Sequence, residues 1–264
     1  MRTKKVIEHI TEWLRSYCTN AGQKGFVVGV SGGVDSAVTS ALCARTGLPT
    51  LCLEMPIHQS LSQVTRAQDH IAQLMARHPN VRMEVLQLTK PFDLFAAALP
   101  GSDAPSAELA LANVRARLRM TALYYMAGSN GYLVVGTGNK VEDFGVGFFT
   151  KYGDGGVDLS PIADLTKSEV YAVARELGVI QSILDAPPTD GLWGDDRTDA
   201  DQLGATYPEL EWAMELREKG VGRDTPPFTD RQKVVLAIFD RLKAANKHKM
   251  VPIPVCTIPA GFRS

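Results

Sequence analysis

Residues 26–38 read FVVGVSGGVDSAV. An apolar run stops at Ser31-Gly32-Gly33 and passes through Val34, Asp35 and Ser36 straight into a second apolar stretch. A buried strand that turns directly into a helix is the opening unit of a parallel α/β sheet. The same turn aims unpaired backbone N–H groups and the positive end of the helix dipole at one point, which makes a phosphate site. Gly32 and Gly33 permit close backbone approach, and Ser31 and Ser36 add hydroxyl donors. Neither G-x-x-x-x-G-K-[ST] nor G-x-G-x-x-G occurs here, because the turn carries Asp35 and no lysine. A carboxylate beside phosphates repels them unless a cation intervenes, so Asp35 points to Mg²⁺ on a polyphosphate.

The alternation continues outward from this unit. GFVVGV (25–30), PTLCLEM (49–55), VRMEVLQL (81–88) and YLVVGT (132–137) read as strands, separated by helical patterns around 35–46, 60–77 and 106–127. The pattern predicts an α/β fold with a doubly wound, mostly parallel sheet and helices on both faces. Upstream, Val6, Ile7, Ile10, Trp13, Leu14 and Tyr17 fall at helical spacing, interrupted by Glu8, Glu12 and Arg15, unlike a signal peptide. Thr166 and Glu169 predict a capping box ahead of a helix in 166–177. Helices near 208–219 and 229–245 make a short helical C-terminal part before the tail VPIPVCTIPAGFRS. Between these elements, 138–160 holds six glycines and 185–210 is rich in Pro, Gly and Asp. Irregular segments of that length are more often functional than filler. With no repeat and no low-complexity linker, residues 1–264 read as one domain.

Lys and Arg number 28 against 29 Asp and Glu, a net charge of −1. No global basic field marks nucleic acid or a membrane surface as partner. No apolar stretch reaches the ~18 residues of a membrane span. Cys18, Cys43, Cys52 and Cys256 lack metal-ligand spacing and read as packing residues of a reducing, cytoplasmic compartment.

The S-G-G-x-D-S loop resembles the pyrophosphate loop of N-type ATP pyrophosphatases, which cleave ATP between the α and β phosphates. NVRARLRM (113–120), GTGNKVEDFGVGFFTKYGDGGVDLSPIADLTKSEV (136–170), PPTDGLW (187–193) and NKHKM (246–250) resemble, in order and approximate spacing, the motifs of the ammonia-dependent NAD synthetases. The resemblance covers most of the chain. It implies an adenine nucleotide alpha hydrolase-like fold. It also implies amidation of deamido-NAD by ammonia and ATP through an acyl-adenylate, with release of AMP and pyrophosphate. For ATP it implies contacts at Gly29, Val30, Ser31, Gly32, Gly33, Val34, Asp35, Ser36, Thr137, Lys167 and Thr189, and for Mg²⁺ the pair Asp35 and Glu142. Asp35, Glu142 and Lys167 carry the chemistry in this reading. For deamido-NAD it implies Arg117, Lys151, Asp158, His248 and Lys249. A homodimer is implied too, with AELALANVRARLRMTALYYMA (107–127) at the contact.

Without the resemblance, Glu142 reads equally as a solvated loop acid, Lys167 as a solvated first-turn lysine and the KHK run as a charged tail. Arg115, Arg117 and Arg119, spaced by two, cannot share one helix face. Two departures stand out. Met250 follows His-Lys where many relatives carry Arg, and the segment from Glu142 to GFFTK is one residue longer than in some members. Since the ATP loop begins near residue 29, no amidotransferase domain is expected upstream, and free ammonia or a separate donor is expected. A tRNA-modifying or sulfurtransferase relative calls for a basic surface or a catalytic cysteine. An ATP-sensing module has no use for paired carboxylates with a second phosphate-binding lysine.

Overall fold

The computed structural model describes residues 1–193, 197–222 and 227–263. Four short strands, β1 (Gly25–Gly29), β2 (Thr50–Glu54), β3 (Val81–Val85) and β4 (Tyr132–Val135), form a parallel sheet in the order β3-β2-β1-β4. Successive side chains of β1 point to opposite faces, and both faces are covered. Phe26 and Val28 pack with Leu133 and Val135 under the helices α1 (Thr3–Asn20), α2 (Val34–Arg45), α6 (Lys167–Leu177) and the single turn α7 (Gln181–Leu184). Val27 packs with Leu51, Leu53 and Val134 under α4 (Thr89–Ala98) and α5 (Ala107–Asn130). Helix α3 (Leu61–Arg77) covers Cys52 and Val81 through Ala67, Ile71 and Leu74. The expected doubly wound α/β sheet is therefore present.

The chain runs outward from β1 to β3, then returns to place β4 on the other side of β1. Strand order reverses at β1 and β4, and the crevice at their carboxyl ends is where ligands enter such sheets. Residues 31–36 follow β1 and residues 136–142 follow β4, so the fold brings the two motif-rich loops together.

A smaller apolar cluster sits beside the sheet. It joins Val141 and Val146 to α8 (Asp199–Leu203), α9 (Tyr207–Glu218) and α10 (Asp230–Met250) through Leu203, Tyr207, Leu210 and Phe239. Thr166 and Glu169 form the expected capping box. Three details differ from the sequence reading. TKPFDLFAAA forms α4, which was not anticipated because its apolar residues lack a clean helical period. Residues Val141–Val146, inside a segment read as irregular, make one π-helical turn. Cys18, Cys43 and Cys52 are buried, but Cys256 lies exposed on the tail and packs against no core.

One core group makes stability pH-dependent. His70 on α3 is 1 % exposed, and its Nε2 stands 3.0 Å from Ser40 Oγ. Ser40 donates to the Ser36 carbonyl, so its oxygen accepts from Nε2–H while Nδ1 has no partner. Burial, opposed by a backbone hydrogen bond at Ala37 and aided by the charge of Arg77, lowers the His70 pKa to about 4. The neutral form is favoured in the fold, so this stabilisation is complete above the unfolded value of 6.5, declines as pH falls below it and is fully lost once pH has fallen through about 4. Its full size is about 3 kcal/mol. In urea titrations at pH 7 and pH 5, His70→Gln is expected to lose about 2 kcal/mol less than the unsubstituted protein over that interval.

Candidate active site

Residues 29–36 line the mouth of the crevice. Ser36 Oγ donates to the Gly33 carbonyl (2.9 Å) and accepts from the Ser31 N–H (3.2 Å), which fastens the loop onto the first turn of α2. The Gly33 N–H reaches Ser31 Oγ at 3.3 Å, and Arg66 of α3 holds the Gly32 carbonyl at 3.2 Å. Gly32 has φ of 82°, and a Cβ there would lie 2.5 Å from the Gln63 carbonyl oxygen. Both facts demand glycine. Gly32→Ala is expected to lower stability by about 2 kcal/mol and to raise the KM for ATP at least tenfold, as read by urea titration and initial rates.

Asp35 lies in the first turn of α2, and Glu142 projects from the π-helical turn after β4. Lys167, the first residue of α6, reaches both: Nζ stands 2.5 Å from Asp35 Oδ2 and 3.1 Å from Glu142 Oε1. A cation at a helix N-terminus opposes the dipole, and burial of this residue to 4 % exposure disfavours charge as well. The two carboxylates override that burial and hold the Lys167 pKa above its ordinary value. Asn139, fully buried, joins the parts. Its Nδ2 donates to Asp35 Oδ1 (3.2 Å), and its Oδ1 accepts from the N–H groups of Val141 (3.1 Å) and Glu142 (3.2 Å).

The surroundings are acidic. Burial, then Glu142, pushes the neighbouring Asp143 up to about 7, and burial pushes Asp199 up to about 6. Among the described residues, no three His, Cys, Asp or Glu side chains stand together as a self-sufficient metal cage. Mg²⁺ does not need one, since it is commonly held by one or two carboxylates plus substrate phosphates and water. Asp35 and Glu142, hard oxygen donors already gathered around a cation beside a phosphate-type loop, fit that requirement.

Thr137 and Thr189 line the same cavity. The Thr189 hydroxyl donates to the Arg197 carbonyl (3.0 Å) and accepts from the Gly191 N–H (3.2 Å). The residues expected to contact a dinucleotide lie outside this lining. Three of them are chained together: Arg117 Nε donates to the Lys151 carbonyl (3.3 Å) and Lys151 Nζ to the His248 carbonyl (3.1 Å), while Lys249, next to His248, donates from Nζ to the Phe149 carbonyl (2.6 Å). Asp158 lies elsewhere, accepting from Tyr124 Oη (3.0 Å) and the Val134 N–H (2.8 Å). As their spacing required, the three arginines do not all share one face: Arg115 and Arg119 lie one turn apart on the same side, with Arg115 held to the Leu192 carbonyl. Arg119 turns inward to the Met55 carbonyl and Gln59 and lines the cavity, whereas Arg117 is exposed. Met250 packs beside Gly147 at the end of the π-helical turn.

Comparison with known proteins settles the family. A family model described as NAD synthase matches residues 6–252. The chain belongs to the NAD synthase family. Its relatives include the NH(3)-dependent NAD(+) synthetase of Carboxydothermus hydrogenoformans, 42% identical over 77% of this chain and 82% of the relative. That of Syntrophomonas wolfei is 34% identical over the whole of both chains. A solved structure described as NMN synthetase from Francisella tularensis superposes with a TM-score of 0.82 at 30% identity, over 98% of this chain and 99% of the other. NAD synthases are ligases that make NAD and use ATP as a substrate. In this chain, sequence reasoning missed Asn139, Asp199 and Tyr207. Asn139 stood within a quoted motif, but its role as a link appears once the loops meet.

Proposed function

We propose that this chain converts deamido-NAD, ATP and ammonia to NAD, AMP and pyrophosphate in an Mg²⁺-dependent reaction. The observation that carries the reading is the placement of Lys167, Asp35 and Glu142 beside the glycine loop in one crevice. A carboxylate is a poor electrophile, and transfer of AMP to it supplies a leaving group for attack by ammonia. The N–H groups and hydroxyls of residues 31–36 receive the departing pyrophosphate at the N-terminus of α2. Lys167 turns its ammonium from the carboxylates to the phosphates as they enter, and Thr189 orients the same oxygens. Asp35 and Glu142 would hold Mg²⁺, which would supply charge stabilisation on the phosphates.

Free ammonia as donor is supported by the Syntrophomonas wolfei relative, which is named NH(3)-dependent and matches over its full length. A homodimer is supported by exposed apolar side chains on α4 and α5, among them Leu94, Phe95, Leu109 and Tyr125. It is supported too by Arg117, Lys151 and His248, a basic group outside the crevice that is suited to a dinucleotide extending past one subunit. We treat residues 1–264 as one functional unit, with the α8–α10 cluster as part of the site. The buried free cysteines suit a cytoplasmic setting, and among the described residues no helix is long and apolar enough to cross a membrane.

A second acceptor is favoured by the Francisella tularensis structure, whose product name implies the mononucleotide acid by the same chemistry. Both acids are therefore supplied separately with ATP, Mg²⁺ and ammonium chloride, and products are resolved by chromatography. NAD from deamido-NAD with stoichiometric AMP supports the proposal. Amidation confined to nicotinate mononucleotide moves the assignment to the second reading, and ATP binding without AMP release overturns both.

A further inference from the structure

Behind Glu142 lies a pair of side chains that neither the motifs nor the family assignment gives a role. The Tyr207 hydroxyl, at the start of α9, donates in a short hydrogen bond to Glu142 Oε1 and stands 2.8 Å from Asp199 Oδ2. Tyr207 is 7 % exposed and Asp199 is 4 % exposed, and Asp199 Oδ1 has no partner. A phenol has one hydrogen to donate, so its orientation between two carboxylates sets which of them is held. The Lys167 ammonium lies 4.5 Å from the centre of the Tyr207 ring, so the phenol borders the ion pair on two sides. Asp199 is tied in the other direction: its N–H donates to the Pro188 carbonyl (3.0 Å), next to Thr189. A burial this complete for a carboxylate with an unpaired oxygen is destabilising in itself, which directs attention to what the arrangement does for the site.

We propose that Tyr207 and Asp199 are positioning residues for the Glu142 carboxylate: the phenol gives its one hydrogen to Glu142 and fixes it for the cation, and the Asp199 carboxyl, in its protonated form, donates to the phenol oxygen while its backbone N–H anchors the Pro188–Thr189 turn. The inference rests on the reading of Glu142 as a cation ligand. Groups hydrogen-bonded behind a metal ligand commonly contribute about 10–100-fold to metal affinity or activity. Because Asp199 reaches Glu142 through the phenol, its effect on the cation has to vanish when the hydroxyl is gone, which a merely packed carboxylate does not require.

The test is nucleotide-free binding of Mn²⁺ to the full chain, read by the loss of the free-ion electron paramagnetic resonance signal, alongside the Mg²⁺ dependence of the rate. Tyr207→Phe keeps the ring and its packing. It is expected to weaken Mn²⁺ binding roughly tenfold and to raise the Mg²⁺ requirement by a similar factor. Asp199→Ala is expected to weaken Mn²⁺ binding about threefold alone and not at all further in the Tyr207→Phe background. Glu142→Gln is the reference. If Glu142→Gln weakens Mn²⁺ binding and Tyr207→Phe does not, or if Asp199→Ala acts equally in both backgrounds, the positioning role is wrong. If Glu142→Gln leaves Mn²⁺ binding unchanged, the cation-ligand reading fails and this inference with it. Should Tyr207→Phe fold poorly, Asp199→Ala and its rescue by Asp199→Asn, whose amide restores a hydrogen bond to the phenol, decide the question: Mn²⁺ affinity unchanged in Asp199→Ala overturns it.

Discussion

Lys167→Met is expected to lower kcat by two to three orders of magnitude and, in the absence of nucleotide, to bind Mn²⁺ on the order of tenfold more tightly than the unsubstituted protein. The two effects have opposite signs because Lys167 has two positions to serve. Without phosphates, its ammonium lies between Asp35 and Glu142 and competes with any metal ion for the same oxygens. With phosphates bound, it is the cation that the glycine loop lacks. Removing one partner of a buried ion pair typically destabilises a fold by about 3–5 kcal/mol. Lys167→Met is accordingly expected to melt below the unsubstituted protein in metal-free buffer and to regain much of that loss in millimolar Mg²⁺, since a ligand bound by the native state alone raises stability by mass action. Thermal scans with and without Mg²⁺ check this directly. A variant whose melting temperature is lowered equally in both buffers would show that the carboxylates do not take the cation.

The sheet was legible because its signals are local. A run such as Phe26-Val27-Val28 ending in Ser-Gly-Gly declares a strand, a turn and a helix within thirteen residues, and the observed β1 and α2 follow it closely. The Thr166–Glu169 capping box is equally local. Elements that depend on distant partners were not legible. Helix α4 lies in a segment of weak periodicity and buries Phe92 against residues from the other side of the sequence. The π-helical turn exists because Val141 and Val146 pack onto α9 and α10, whose contribution local propensity does not express. The site divides in the same way. Asp35 was readable from its turn, whereas Glu142 and Lys167 acquired roles through family resemblance and, in the structure, through proximity to Asp35 across 107–132 residues of sequence. Tyr207 and Asp199 had no signal, since each is an ordinary residue of a helical first turn until Glu142 is placed beside it.

The second large effect is expected at Asn139. Its one amide serves three hydrogen bonds, and Asn139→Ala removes them together, leaving the N–H groups of Val141 and Glu142 without their acceptor in a buried setting. Each such loss is worth about 1–3 kcal/mol. Partial relaxation of the turn sets the expected destabilisation at about 3 kcal/mol, with at least a hundredfold fall in kcat/KM because Glu142 loses its register to Asp35. Asn139→Asp separates the two roles. Its carboxylate still accepts from both N–H groups, so the π-helical turn is kept, but an acceptor now faces Asp35 Oδ1 where a donor stood at 3.2 Å. Two carboxylates at that distance do not both ionise readily, and one of them retains a proton to higher pH. Asn139→Asp is therefore expected to resemble the unsubstituted protein in urea titration far more than Asn139→Ala does. It is also expected to show a loss of activity that moves with pH as the extra carboxylate titrates. Equal destabilisation by both substitutions would mean that the contact to Asp35, rather than the cap on Val141 and Glu142, maintains this part of the fold. Unchanged activity in Asn139→Asp would mean that Asp35 does not need its donor.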